Sequence, residues 1–421
     1  MSDSGAGQNW AGNYRYGAAV IHRPQRVQQV QELIARRPRA RALGTRHSFT
    51  GIGDSAELIS LAELETEIAV DREAGLVTVP GGVTYAKLAD TLNRHGLALA
   101  NLASLPHISV AGAVATATHG SGDAIGNLAT AVRGLELVTG EGALVRVERD
   151  EPDFAGLVVG LGALGVVTAL TLAVEPYYEV RQRVYESLPW ETLLAQFDEI
   201  TAAGDSVSVF HGAGKQAEQL WVKRRVDDGA FDAAPQELFG ARAATAPRNP
   251  VPGSEPANCT DQLGVPGPWS ERLPHFRSGF TPSAGEEIQS ELLVAREHAP
   301  AAIEAMLGLA EQIRPLLLVG ELRTMAADEL WLSPQYGQAT VGLHFTWRRR
   351  PDQVKRVVGA LEQALAPLGA RPHWGKLFTA GAREIAPLYP RLGGFLELRA
   401  RLDPCGVFVN DWLQTHLLGD A

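Results

Sequence analysis

Sulfur is scarce in this chain: 421 residues hold two cysteines, Cys259 and Cys405, and three methionines. So few cysteines cannot build a disulfide framework, and neither stands in a C-x-x-C pair. A disulfide-stapled domain and a zinc knuckle are therefore excluded, and a reducing cytoplasm is the expected compartment. Basic charge is short as well. The formal net charge is −10, which argues against nucleic acid or an anionic membrane as a partner, since both select basic patches. No stretch approaches 18 consecutive apolar residues, and MSDSGAGQNW at the start has neither a basic nor an apolar leader region. A soluble, unexported protein is expected. H-E-x-x-H, G-x-S-x-G and Walker-type loops are missing too, so no metal site and no serine nucleophile is expected. Lysine is the rarest charged residue, five against 33 arginines, which gives weight to a lysine inside a motif.

What is present is an apolar fraction of 45% over a length that exceeds one ordinary core, so two domains or one large two-lobed enzyme are expected. The most telling stretch is SLPHISVAGAVATATHGSG, residues 104–122. Between Ser109 and Gly122 only His119 carries a side chain larger than valine, so the backbone can lie against a ligand with its N–H groups open, as a pyrophosphate requires. A tightly packed strand and turn is the plain alternative. The arginines at 36, 37, 39 and 41, and at 348–350, read as solvated rims at element ends. Asn258-Cys259-Thr260 matches a glycosylation sequon, which has little meaning without a secretory signal.

Residues 76–99 read as a strand, a Gly81-Gly82 turn and a helix with Thr84 as N-cap and Tyr85, Leu88 and Leu92 on one face. The paired glycines before a helix offer an anion a seat. Residues 132–147 read as a hairpin around Gly140-Glu141-Gly142. Residues 154–165 read as a helix, followed by a strand in VVTALTLAVEP. Gly160, Gly162 and Gly165 spell G-x-G-x-x-G, but a Rossmann phosphate site needs strand before glycines and helix after. Here the order is reversed, which sets aside a nicotinamide dinucleotide reading and Glu186 as its ribose ligand. From about Ala233 to Pro274 proline and glycine accumulate, so a long irregular excursion is expected.

Two later strands, LLLVGELRT and ATVGLHFTW, place chemistry. Residues two apart on a strand share a face, so Glu321 projects with Arg323, and His344 with Thr346, while Leu322, Leu343, Phe345 and Trp347 form the opposite apolar face. A solvated face and a polar pocket both fit that pattern. The downstream element His373-Trp374-Gly375-Lys376 favours the pocket, because carboxylate, guanidinium and hydroxyl groups together grip neighbouring hydroxyls of a polyol. His47 in GTRHSF is either a loop or cap histidine or a covalent flavin tether, with Gly44 keeping the backbone close.

GTRHSF, GGVTYAKL, ASLPHISVAGAVATATHGSG, GLGALGVVT, ELRT, HFTW, HWGK and DPCGVFVN occur in the order found in vanillyl-alcohol-oxidase-type flavoproteins, which the chain resembles over essentially its whole length. WAGN and NCTDQLGVPGPWSERLPHFR make the likeness specific to the branch of alditol and aldonolactone oxidases. The resemblance implies an α+β, two-domain vanillyl-alcohol-oxidase-type (PCMH-type) FAD-binding fold with a separate substrate domain built on an antiparallel sheet. It divides the chain into an FAD-binding domain at 1–178, a substrate domain at 179–378 and a C-terminal segment at 379–421 that returns to the first domain. It also implies FAD tethered through His47 and contacted by Ala42, Leu43, Gly44, Thr45, Arg46, Ser48, Ser104, Ser109, Gly112, Ala113, Val114, Ala115, Thr116, Val167 and His373. Lys376, Arg323 and Glu321 are implied as catalytic, with Ser104, Thr346 and His344 joining them on the substrate. Thr45-Arg46 departs from the smaller, often glycine-containing pair before the histidine in many relatives. The implied reaction is oxidation of an alditol's terminal primary alcohol by a monomer whose partners are the polyol and O2. The alternatives are an aldonolactone oxidoreductase and a non-catalytic flavin- or sugar-binding protein.

Overall fold

The computed structural model describes residues 7–36, 38–65, 67–226, 235–277, 279 and 286–419. Among these residues the strands form four sheets. Near the N-terminus Val20–His22, Glu57–Ser60 and Ala40–Leu43 make a parallel three-stranded sheet. An antiparallel five-stranded sheet follows in the order Ala69–Asp71, Leu76–Pro80, Val166–Ala173, Val132–Val138, Leu144–Glu148. The expected hairpin is its edge, closed by Thr139 N–H donating to the Ala143 carbonyl. The helix Tyr85–Arg94 begins as its sequence signals require, with the Thr84 hydroxyl accepting from the Lys87 N–H.

The ten-stranded antiparallel sheet is the other major layer. Its centre runs Ala217–Arg225, Ser206–His211, Leu317–Met325, Thr340–Arg348, Glu287–Ala295. Leu322, Leu343, Phe345 and Trp347 are buried together with Val354, Val358 and Leu361 of the helix Pro351–Leu365. The apolar face of the strands is thereby covered, and the alternate face is left to line a cavity. In register, Glu321 sits opposite His344, which sits opposite Glu291, and Arg323 sits opposite Gly342.

Three expectations change. The helix after Phe154 stops at Val158, because the backbone turns left-handed at Leu161 and Gly162, with φ of +52° and +67°. Arg41 is no solvated rim residue: it is 2% exposed, and its guanidinium donates to the carbonyls of Leu161 and Phe408. That contact ties the glycine turn to the C-terminal segment, whereas Arg36, Arg39 and Arg348 to Arg350 are exposed as expected. Gly81 and Gly82 are packing glycines, since a Cβ there would come within 2.2 Å of the Val167 carbonyl and 2.1 Å of the Leu61 carbonyl. The excursion, from residue 235 on, is irregular as read, with short strands at Glu237–Leu238, Ala241–Ala243 and Gly267–Pro268.

Candidate active site

One cavity of about 310 Å³ collects the motifs. Every residue named above for cofactor contact lines it, from Ala42 to Ser48, Ser104, Ser109, Gly112 to Thr116, Val167 and His373. So do Glu321, Arg323, His344, Thr346 and Lys376. Its walls are of three kinds: Leu135, Leu137, Leu157, Leu164 and Leu170 are apolar, the 42–48 and 103–116 segments bring backbone and hydroxyls, and the large sheet supplies charge. Gly160, Gly162 and Gly165 also line it, so the fingerprint glycines reach a ligand cavity by a strand order unlike Rossmann's.

The 42–48 and 103–116 segments are pressed together by glycine. A Cβ on Gly44 or Gly112 would lie 2.6 or 2.7 Å from the Ser109 hydroxyl, closer than real side chains approach. Thr45, the departure from the family pattern, links them: its hydroxyl accepts from the Ser109 N–H at 3.0 Å and sits 3.0 Å from His47 Nδ1. Trp10 stacks on the His47 ring at 5.5 Å. Burial pushes His47 down to about 4, so the imidazole is neutral near pH 7. Arg46 takes a φ of +62°, the region glycine favours, which accounts for the residue found there in many relatives. Apolar leucines, segments thinned by glycine and hydroxyls in the lining of one cavity make a donor set that fits FAD.

Among the charged groups the centre is a residue the sequence reading passed over. Glu291 has a fully buried side chain and receives Lys376 Nζ at 2.5 Å on one oxygen and Arg323 at 3.1 Å on the other, with His119 Nε2 3.3 Å away. Burial works to raise its pKa, but Lys376, His119 and Arg323 outweigh it and hold the carboxyl well below its usual range. Lys376 also meets His344 Nδ1 at 2.6 Å, and His344 Nε2 lies 3.1 Å from the Thr346 hydroxyl. Burial lowers Lys376 from its ordinary 10.5, against the pull of Glu291, and takes His344 down to about 4. Glu321 lies 3.5 Å from Arg323 and 3.0 Å from His275. Its own burial is outweighed by those two partners, so it too stays ionised. Ser104 completes the group at 3.5 Å from Arg323.

His119, Glu291 and His373 bring ligand-type atoms within 4.8 Å of one another. The carboxylate there already faces Lys376 and Arg323, so a divalent cation would add to the positive charge, and the geometry suits an ion network better than a metal. His275 was also missed as a site residue. It lies in the proline-rich excursion, where no period tells which way a side chain points. Glu291 did leave a signal, since Glu287, Gln289 and Glu291 alternate on one face of their strand.

Residues 18–148 match the FAD binding domain family, and residues 287–416 match the D-arabinono-1,4-lactone oxidase family. The chain is 48% identical over 416 residues to alditol oxidase from a Streptomyces species, covering 98% of this chain and 99% of that one. It is 28% identical to L-gulono-1,4-lactone dehydrogenase of Mycobacterium tuberculosis, with 97% and 98% covered. Among solved structures, cholesterol oxidase from B. sterolicum superposes with a TM-score of 0.80 at 16% identity, covering 98% of this chain and 96% of that one. That likeness speaks for the vanillyl-alcohol-oxidase-type fold alone. Identity at 48% from end to end, with one segment matched to an FAD binding domain family and another to a lactone oxidase family, means that this protein belongs to the FAD-dependent oxidase family that includes alditol oxidase.

Proposed function

We propose that this enzyme oxidises the terminal primary alcohol of open-chain alditols, of the xylitol and sorbitol type, to the aldose. The observation that carries the reading is a set of hydroxyl-gripping groups lining one cavity, Glu321, Arg323 and Thr346 buried and Ser104 and Lys376 half-buried. Ionised Glu321 accepts hydrogen bonds from substrate hydroxyls, and Arg323 donates to the reacting oxygen, where its charge stabilises the alkoxide as it forms. Lys376 takes the hydroxyl proton. As a neutral amine it donates one N–H to Glu291 and one to His344, which leaves its lone pair directed at the cavity. FAD, when bound, would supply the two-electron chemistry: an acceptor for the hydride from the carbon bearing that hydroxyl, restored by O2, which with the two electrons and two protons would give hydrogen peroxide. His47 would hold the FAD by a covalent bond, favoured by its neutral ring. In this reading residues 1–178 and 379–421 form the FAD-binding domain and 179–378 the substrate domain. Core packing supports the return of the C-terminal segment to the first domain, with Phe395, Leu398, Trp412 and Leu413 buried in one cluster with Val77, Leu88 and Leu170, which Trp269, Leu332 and Trp374 also join. The two free cysteines fit a reducing cytoplasm.

A second reading, oxidation of a cyclic aldonolactone, is favoured by the family matched over residues 287–416. A peroxidase-coupled assay over xylitol, sorbitol, gulonolactone and galactonolactone separates the two. The alditol reading expects kcat/KM highest for xylitol or sorbitol; a preference for either lactone would replace it.

A further inference from the structure

Glu321 is held from behind by groups that the proposed reaction does not use. Its Oε1 meets His275 Nε2 at 3.0 Å, and His275 Nδ1 meets Lys223 Nζ at 3.2 Å. The amine also donates to the Leu273 carbonyl. Lys223, His275, Glu321 and Arg323 are between 1% and 5% exposed. The imidazole is clamped edge-on by Phe210 at 5.2 Å and Trp221 at 5.3 Å between ring centroids. A lysine is rare in this chain, and this one occupies a fully buried site.

Ionised Glu321 can only accept, so the single proton of the neutral ring sits on Nε2 and is donated to it, which leaves His275 Nδ1 to accept from the Lys223 amine, a donor in both charge states. Burial keeps the ring neutral, with a pKa pushed down to about 4, and takes Lys223 to about 7 against the pull of Glu321. The groups facing the pair are Glu321 and Arg323 from two strands along, Cys259 from the excursion, and Ser208 of the strand between, whose hydroxyl lies 3.4 Å from His275 Nε2.

We infer that Lys223 and His275 are positioning residues: the Lys223 amine anchors the His275 ring through Nδ1, and so keeps its Nε2–H on Glu321 and that carboxylate aimed at the substrate's hydroxyls. The inference rests on Glu321 as the polyol grip. It explains why the excursion closes over the sheet, since it brings His275 and the Leu273 carbonyl to a site built otherwise from strands. Without the amine, Nδ1 is buried with no donor, the ring loosens between Phe210 and Trp221, and the hydrogen bond that orients Glu321 weakens.

The test uses Lys223→Met, Lys223→Gln, His275→Gln and the double variant in the flavin-loaded enzyme, with the ¹H and ¹⁵N signals of the His275 Nε2–H in imidazole-labelled protein reading its hydrogen bond to Glu321 directly. Lys223→Met is expected to weaken that hydrogen bond, with the Nε2–H proton moving upfield and exchanging faster with water. It should raise KM for xylitol about tenfold, the weight of one hydrogen bond to a charged group, with kcat within about threefold. Lys223→Gln keeps a donor and should restore both. His275→Gln presents an N–H near the Nε2 position whatever lies behind it, so adding Lys223→Met to it should change nothing. An unchanged Nε2–H signal in Lys223→Met, or equal loss in Lys223→Met and Lys223→Gln, would overturn the inference. If Lys223→Met does not fold, His275→Asn replaces it, since the shorter amide cannot reach Glu321. KM should then rise in His275→Asn and not in His275→Gln, and equal values would overturn the inference. The Nε2–H reading does not depend on turnover, so failure of the alditol reading would show as wild-type flavin that no alditol reduces.

Discussion

At the residue scale the account turns on two side chains that neutralise each other. Lys376 accepts a proton only when uncharged, and burial has lowered its pKa from 10.5. Flavin reduction by xylitol should therefore be slow at low pH, rise as Lys376 loses its proton, and level off below pH 10.5. Lys376→Met should reduce the rate by about two to four orders of magnitude, the usual weight of a general base, and flatten that rise. Stopped-flow reduction across pH measures both, and near-normal reduction would remove Lys376 from the chemistry. Glu291 is the counter-ion for Lys376 and Arg323. Glu291→Gln would leave two buried cations unbalanced and should cost about 3–5 kcal/mol in urea denaturation. Because the folded-state pKa values of Glu291 and Glu321 are both depressed, the folded protein binds fewer protons than the unfolded chain at low pH. Their stabilisation is complete above about pH 4.5 and is lost as pH falls from there toward the folded values. Glu291→Gln should flatten that acid limb of the melting curve, and an unchanged limb would count against the charge assignment.

Elements decide how much a reader of the sequence can place. Strand parity alone paired Glu321 with Arg323 and His344 with Thr346, because their opposite face, Leu322, Leu343, Phe345 and Trp347, is plainly apolar and had to be covered. The same parity holds for Glu287, Gln289 and Glu291, yet that strand lacks a comparably continuous apolar partner face, and its central carboxylate passed unnoticed. Turn glycines were legible as turns but not in purpose. Gly81 and Gly82 resemble an anion seat in sequence, whereas their hydrogens face the carbonyls of Val167 and Leu61. Gly82→Ala should accordingly destabilise the fold by about 1–3 kcal/mol or more, as overpacking does, with the denaturation midpoint as the measure. Wild-type stability in that variant would restore the open-seat reading.

Across the whole molecule the cavity is assembled from segments spread along most of the chain: 42–48, 103–119, 160–167 and 319–376. Local periodicity says what each segment is, not which others it meets; the order of motifs along the chain supplied that grouping. What no local pattern supplies is the direction of side chains in irregular backbone, which is why His275 enters the site only in the structure. The central claim is that the cavity holds a flavin that an alditol reduces. An anaerobic titration of the purified protein with xylitol, following the flavin absorbance, tests it most directly, with acid precipitation of a parallel sample to read the tether. The account predicts bleaching and a yellow pellet. Flavin that xylitol leaves oxidised while a gulono- or galactono-lactone bleaches it would contradict the account and move the enzyme to the lactone oxidases.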